Sequence, residues 1–142
     1  MSRHTIKTIV TEQVFDSRGT PTIKVTIDTD TASASFSVPS GASTGAHEAH
    51  ELRDGDSDAY KGLGVDRAIS RIHDNIAPAL IGLNVADQKK IDAIMHELDG
   101  TPNKDFLGGN AMIGVSIACA KAAAASANIP VFEHLRTLAH IA

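Results

Sequence analysis

The sequence predicts an α+β domain, a three-stranded antiparallel sheet followed by a bundle of about four helices. Three observations predict it. Apolar residues recur at strict period two over Thr22 to Asp28 and again over Ala32 to Val38, the spacing of half-buried strands. Beyond Val65 the apolar spacing lengthens to about 3.6, the period of an amphipathic helix. Between the two regimes lies Pro39-Ser40-Gly41-Ala42-Ser43-Thr44-Gly45-Ala46-His47-Glu48, a run of small and hydroxylated residues that bends and presents oxygens but builds no core.

The first strand runs from Thr5 to Phe15, with Ile6, Val10 and Val14 on one parity and Ile9 and Phe15 on the other. Asp16-Ser17-Arg18-Gly19-Thr20-Pro21 then reverses the chain with residues that favour turns. The second strand places Ile23, Val25 and Ile27 on one face, and the third does so with Ala32, Ala34, Phe36 and Val38. Only Thr29-Asp30-Thr31 joins them, so they form an antiparallel hairpin whose turn lacks the customary glycine.

A first helix begins near Asp66, carries Val65, Ala68, Ile69, Ile72 and Ile76 on one face, and is expected to end before Pro78. A second spans roughly Ala86 to Leu98, with Ile91, Ile94, Met95 and Leu98 as its stripe, and stops at Asp99-Gly100-Thr101-Pro102. The third, about Asn110 to Asn128, is rich in alanine and has Lys121 as its only charge. Apolar nearly all round, it reads as a buried central helix rather than a membrane span, because alanine is weakly hydrophobic and a lysine sits near its middle. Asn128-Ile129-Pro130 ends it, and Val131 to Leu138 forms a short last helix with Val131, Leu135 and Leu138 on one face.

The chain has 142 residues, a formal charge of -4, 42% hydrophobic and 21% charged residues. That is the composition of one globular domain and gives no electrostatic reason to expect nucleic acid. No apolar stretch followed by a cleavage site opens the sequence, so a cytoplasmic address is expected. Cys119 is the only cysteine; it excludes an internal disulfide and reads as a buried, inert thiol. His47-Glu48-Ala49-His50-Glu51 holds metal-type ligands, yet its histidines are three apart rather than four, which argues against a zinc-protease helix. Gly41 and Gly45 are separated by three residues and followed by Ala46-His47, so the loop is not a Walker A phosphate loop. By composition the loop is either a flexible connector or a lid that closes over an anion or a hard cation.

Five stretches taken together resemble one family. Asp16 to Thr22, Val38 to Gly45, Glu51-Leu52-Arg53-Asp54-Gly55-Asp56, Glu97-Leu98-Asp99-Gly100-Thr101 and Leu107-Gly108-Gly109-Asn110-Ala111 resemble, in order and spacing, the amino-terminal domain of enolase. The resemblance covers the whole chain, residues 1–142, as one cap domain. It implies that the catalytic barrel which follows the cap in that family is absent from this chain. It also implies the interconversion of 2-phosphoglycerate and phosphoenolpyruvate, a proton abstraction assisted by two magnesium ions, the established chemistry of enolase-superfamily sites. The base, the acid and the ligands of the first metal would lie in the barrel. What the resemblance assigns to this chain is the lid loop Ser40, Gly41, Ala42, Ser43, Thr44 and Gly45. In it Ser43 would ligate the second magnesium through its carbonyl and hydroxyl, the oxygen ligands magnesium prefers, and Gly41 and Gly45 would act as hinges.

The implied partners are the chain's own carboxy-terminal barrel, a small phosphorylated substrate and a second copy of the full-length protein. Thr20, Leu63 and Gly109 stand where the family commonly has asparagine, lysine and alanine. Lys24 stands where many members have a glutamate paired with an arginine across the dimer, so that contact is not expected in its usual form. The competing reading, from a different class, is a non-catalytic interaction module that keeps the cap fold without its barrel.

Overall fold

The computed structural model describes residues 4–41, 45–56 and 58–140. β1 (Ile6–Phe15), β2 (Pro21–Thr29) and β3 (Ser33–Ser37) form one antiparallel sheet in the order β1-β2-β3. Strict alternation carries β2, where Ile23, Val25 and Ile27 are fully buried. β1 departs from the simple parity of its sequence. Its register with β2 slips between Ile6 and Thr8, a bulge that turns both Ile6 and Ile9 inward and leaves Val10 51% exposed. Neither parity is therefore the core face along the whole strand: Ile6 and Ile9, of opposite parity, are both buried, and Ile9 stands opposite Ile27.

The glycine-free hairpin turn is closed by a side chain. Thr29 Oγ1 accepts from the Ala32 amide at 3.0 Å, beside the backbone bond from Thr29 N to Ala32 O at 2.8 Å, so a hydroxyl supplies what the turn sequence lacks. At the other end, Asp16 Oδ1 accepts from Arg18 N at 2.8 Å and Thr20 N at 2.9 Å, while Gly19 takes a φ of 75°. This is a side-chain-closed turn of the kind aspartate favours. Those amides, Thr20 first, and the neighbouring Arg18 outweigh desolvation and hold the Asp16 carboxyl below its ordinary value.

Pro78 does not stop the first helix. α1 (Asp66–Arg71) continues through a π turn at Ile72–Ile76 into α2 (Ala77–Leu80). The Ala77 amide bonds back to Ile72 O, and this widened turn resets the ladder so that Pro78, with no amide to donate, falls in the first turn of α2. The three pieces form one bent helix, which with α3 (Gln88–Asp99), α4 (Gly109–Ser126) and α5 (Val131–Leu138) makes four helical bodies. After α2 the chain returns to the sheet, where Gly82 N and Leu83 O bond to Ile6 and Val85 N to His4 O.

α4 lies against β2 and β3, with Ala111, Val115, Ala118 and Ala122 fully buried. Small side chains let it approach closely: a Cβ added at Gly114 would stand 3.0 Å from Cγ2 of both Val25 and Val38. Lys121 ties it to the sheet edge by donating to Ser35 O at 2.6 Å. No single helix among the described residues is long and apolar enough to cross a membrane. Cys119 is buried, and desolvation together with the nearby Asp92 pushes its thiol up to about 12. The face expected of α5 holds in part: Val131 and Leu138 are half-buried, but the buried residue between them is His134, while Leu135 is 48% and Phe132 70% exposed.

The loop after α3 is built around Asp99. Gly100 ends the helix in the left-handed conformation. The Asp99 carboxylate then accepts from Thr101 N and Oγ1, Phe106 N and Leu107 N at 2.5–3.1 Å. Burial pulls this carboxyl upward, but the Thr101 hydroxyl and the three amides outweigh it and leave it below its ordinary value.

Two stability predictions result. Gly114→Leu should cost about 1–3 kcal/mol through overpacking, seen in urea unfolding as a lower midpoint at unchanged slope; an unchanged midpoint would remove the close-approach account. Asp99→Asn loses the charged acceptor and should cost about 1–3 kcal/mol near neutral pH. Because the folded carboxyl is the stronger acid, its stabilisation is complete above the unfolded carboxylate value near pH 4 and is lost as pH falls through the folded value. The gap between parent and variant should therefore close in acid; a gap that stays constant down to the lowest pH at which both remain folded contradicts this.

Candidate functional site

An open cleft of about 830 Å³ lies between the start of β2, the loop after β3 and the first turn of α4. Its rim includes Ser40, Gly41 and Gly45 from the expected lid, and its walls include Arg18, Arg53, His50, Asn103 and Gly109. Ala42, Ser43 and Thr44 lie outside the described residues, and with them the expected magnesium ligand.

The wall is a strap, residues 48–54, laid across the beginning of α4. The Asn110 side chain holds its centre, accepting from Leu52 N at 3.0 Å and donating to Leu52 O at 3.1 Å. Leu52 and Asn110 are both buried, so this amide satisfies a strap backbone that water does not reach. The approach is tight enough to require glycine. A Cβ on Gly108, whose φ is 92°, would fall 2.5 Å from Leu52 Cβ, and one on Gly109 would fall 2.9 Å from Ala49 Cβ. The Gly109 amide donates to His50 O at 2.6 Å. The Asp99-organised loop supplies the strap's other neighbour, since Asn103 O accepts from His50 N at 2.8 Å.

Two strap side chains extend this framework. Asp54 accepts from Asp66 N at 3.1 Å and Arg67 N at 2.8 Å, capping α1 from 12 residues away. A Cβ at Gly64 would collide with that carboxylate. The Arg53 side chain, 14% exposed, reaches the other way. Its Nη1 donates to Pro21 O at 2.5 Å and Leu63 O at 2.7 Å, and its Nη2 to Ser40 Oγ at 3.0 Å and Glu51 Oε2 at 3.3 Å.

Sequence reasoning singled out the loop and missed the framework that holds it. Arg53, Asp54, Asn110 and Asp99 all sit in the stretches that carry the resemblance, but in sequence each is a lone polar residue without period. A signal was available in the Gly108-Gly109-Asn110 run opening an apolar helix, because paired glycines before an amide mark a close backbone approach. His47 and His50 are exposed, and among the described residues no group of three or more histidine, cysteine, aspartate or glutamate side chains could hold a metal ion. His73 Nε2 pairs with Thr11 Oγ1 at 2.7 Å. His134 is buried, and desolvation lowers its pKa from the ordinary value. Lys24 stands opposite Glu12 in the β1–β2 register and pairs with it at 3.6 Å.

A family model described as enolase, N-terminal domain, matches residues 6–135, spanning all three strands and nearly all of the helical part. The chain belongs to the enolase N-terminal domain family.

Proposed function

We propose that this chain is the cap of a phosphopyruvate hydratase, a lyase acting in glycolysis and gluconeogenesis in the cytoplasm. Its contribution to the site would be the loop Ser40 to Gly45, closing over 2-phosphoglycerate bound to a barrel domain. The observation that carries this reading is the family match over residues 6–135. The cleft supports it by gathering Ser40, Gly41 and Gly45 on one rim. The chain would lend magnesium the carbonyl and hydroxyl of Ser43, the oxygen ligands that ion prefers. Magnesium, when bound, would supply positive charge to stabilise the anion left by proton removal. The chain's own residues would cover the substrate and exclude water.

The barrel would also cover the apolar side of α5, where Phe132 and Leu135 are exposed. The full-length protein would be a homo-oligomer, with Lys24 already paired to Glu12 and so not available to a partner in the way a glutamate would be. The alternative is an interaction module that keeps this fold and performs no dehydration. A reading frame that continues into a barrel with lysine and acidic residues at its strand ends favours the enzyme; a stop codon after Ala142 favours the module.

Purified alone, free of host enolase, the chain should fold and show no conversion of 2-phosphoglycerate, because it holds neither the base nor the acid; measurable turnover would refute the cap assignment. In the full-length protein, Ser43→Ala should lower activity and raise the magnesium needed for it, with partial recovery at high magnesium. Its stability should move by no more than about 0.5 kcal/mol. A magnesium titration of turnover checks this, and an unchanged profile would return the loop to the role of connector.

A further inference from the structure

We propose that Lys121 guards the outer edge of β3 and keeps two copies of this chain from pairing through it. Among the described residues β3 ends the sheet order β1-β2-β3, and the ladder shows which of its residues face outward. Thr29 N bonds to Ala32 O and Val38 N to Ile23 O. In the register of the two strands, the backbones of Ala34 and Phe36 therefore turn to β2, and those of Ser33, Ser35 and Ser37 turn away from it. α4 packs on this strand, and from it Lys121 reaches the edge to donate to Ser35 O at 2.6 Å. The ammonium thus occupies the outward carbonyl at the centre of β3. A carbonyl accepts the bond without cancelling the charge. At the opposite edge of the sheet the start of β1 is already paired, with Ile6 N to Leu83 O and Gly82 N to Ile6 O both at 2.9 Å, and the register slips just beyond. A covering segment and a bulge each blunt an edge, which leaves β3 as the edge that needs a guard.

The edge that Lys121 covers suits a second copy of the same strand. β3 reads Ser33-Ala34-Ser35-Phe36-Ser37 and carries no charge. An antiparallel pair centred on Ser35 sets Ser33 against Ser37 and Ala34 against Phe36, so no strand charges oppose one another. The two Ser35 residues then exchange both of their backbone bonds across a two-fold axis. Such pairing would join two three-stranded sheets into one. Lys121 opposes it twice. The Ser35 carbonyl that the partner's amide needs is already engaged, and closing the pair brings the ammonium groups of the two copies together at the axis, where like charges repel. Lysine is among the side chains with which natural sheets blunt exposed edges; here it is delivered by a helix rather than by the strand itself. The device is independent of the cap reading, because the edge, the carbonyl and the ammonium all belong to this domain.

The test is sedimentation velocity on the full 142-residue chain over a concentration series, with far-ultraviolet circular dichroism in parallel. The parent and Lys121→Arg, which keeps the charge and the reach, should sediment as one chain throughout. Lys121→Met keeps the length of the stem but removes the charge and the donor, and should shift to twice that mass as concentration rises. Adding Ser35→Pro to Lys121→Met should restore the single chain, because the ring removes the outward amide at a position where an edge strand tolerates proline. A Lys121→Met chain that stays single with the parent's spectrum overturns the proposal, and so does association that Ser35→Pro leaves unchanged. A parent that already pairs through this edge, its association abolished by Ser35→Pro, overturns it as well. If Lys121→Met loses the parent's spectrum, Lys121→Gln replaces it under the same criteria.

Discussion

The structure depends on how closely α4 can approach its neighbours. A helix with bulky side chains would stand off the sheet by the usual helix–sheet spacing, but Gly114 between Val25 and Val38, flanked by buried alanines, removes that margin. Close packing recovers dispersion contacts that few aromatic residues are present to supply. It also brings the first turn of α4 level with the strand ends, where the loop after β3 leaves the sheet. Position at the cleft is thus a consequence of packing in the core.

From that first turn the order of dependence can be followed outward. Gly108 and Gly109 admit the strap, and Asn110 replaces water on the Leu52 backbone. With Leu52 fixed, the adjacent side chains are aimed in opposite directions, Asp54 to the amides of α1 and Arg53 to Pro21, Leu63 and Ser40. A net hydrogen bond contributes only about 1 kcal/mol, whereas a buried group left unpaired costs more. The strap is therefore held less by the strength of any single bond than by the penalty for losing one partner.

The parts of the fold that were legible in sequence are those where one local rule acts alone. β2 and β3 obey period two without interruption, and α3 has both an amphipathic stripe and a glycine stop. β1 alternates only partly in sequence, because the register shift between Ile6 and Thr8 changes parity while leaving composition untouched. Pro78 was misread as a terminus because a π turn, invisible in sequence, moves it into a first turn. In α5 a histidine takes the inward position that a leucine was expected to take, since hydrophobicity ranks the two without knowing which side of the helix meets α4. At the site, the loop was conspicuous through its composition, whereas Arg53, Asp54 and Asn110 act over long sequence separations and leave no periodic trace.

The charges around the cleft bear on how its wall is held. Bidentate contact is what gives an arginine its grip on phosphate, and it needs donors that are not already engaged. Here both Nη atoms of Arg53 are committed to backbone carbonyls, Ser40 and Glu51, and Arg18 Nη2 is committed to Ser40, Gly41 and Asp16. Glu48, Glu51 and Asp105 line the same cleft and oppose an anion further. The Arg53 guanidinium is therefore engaged in shaping the chain around Ser40 rather than turned to the open cleft.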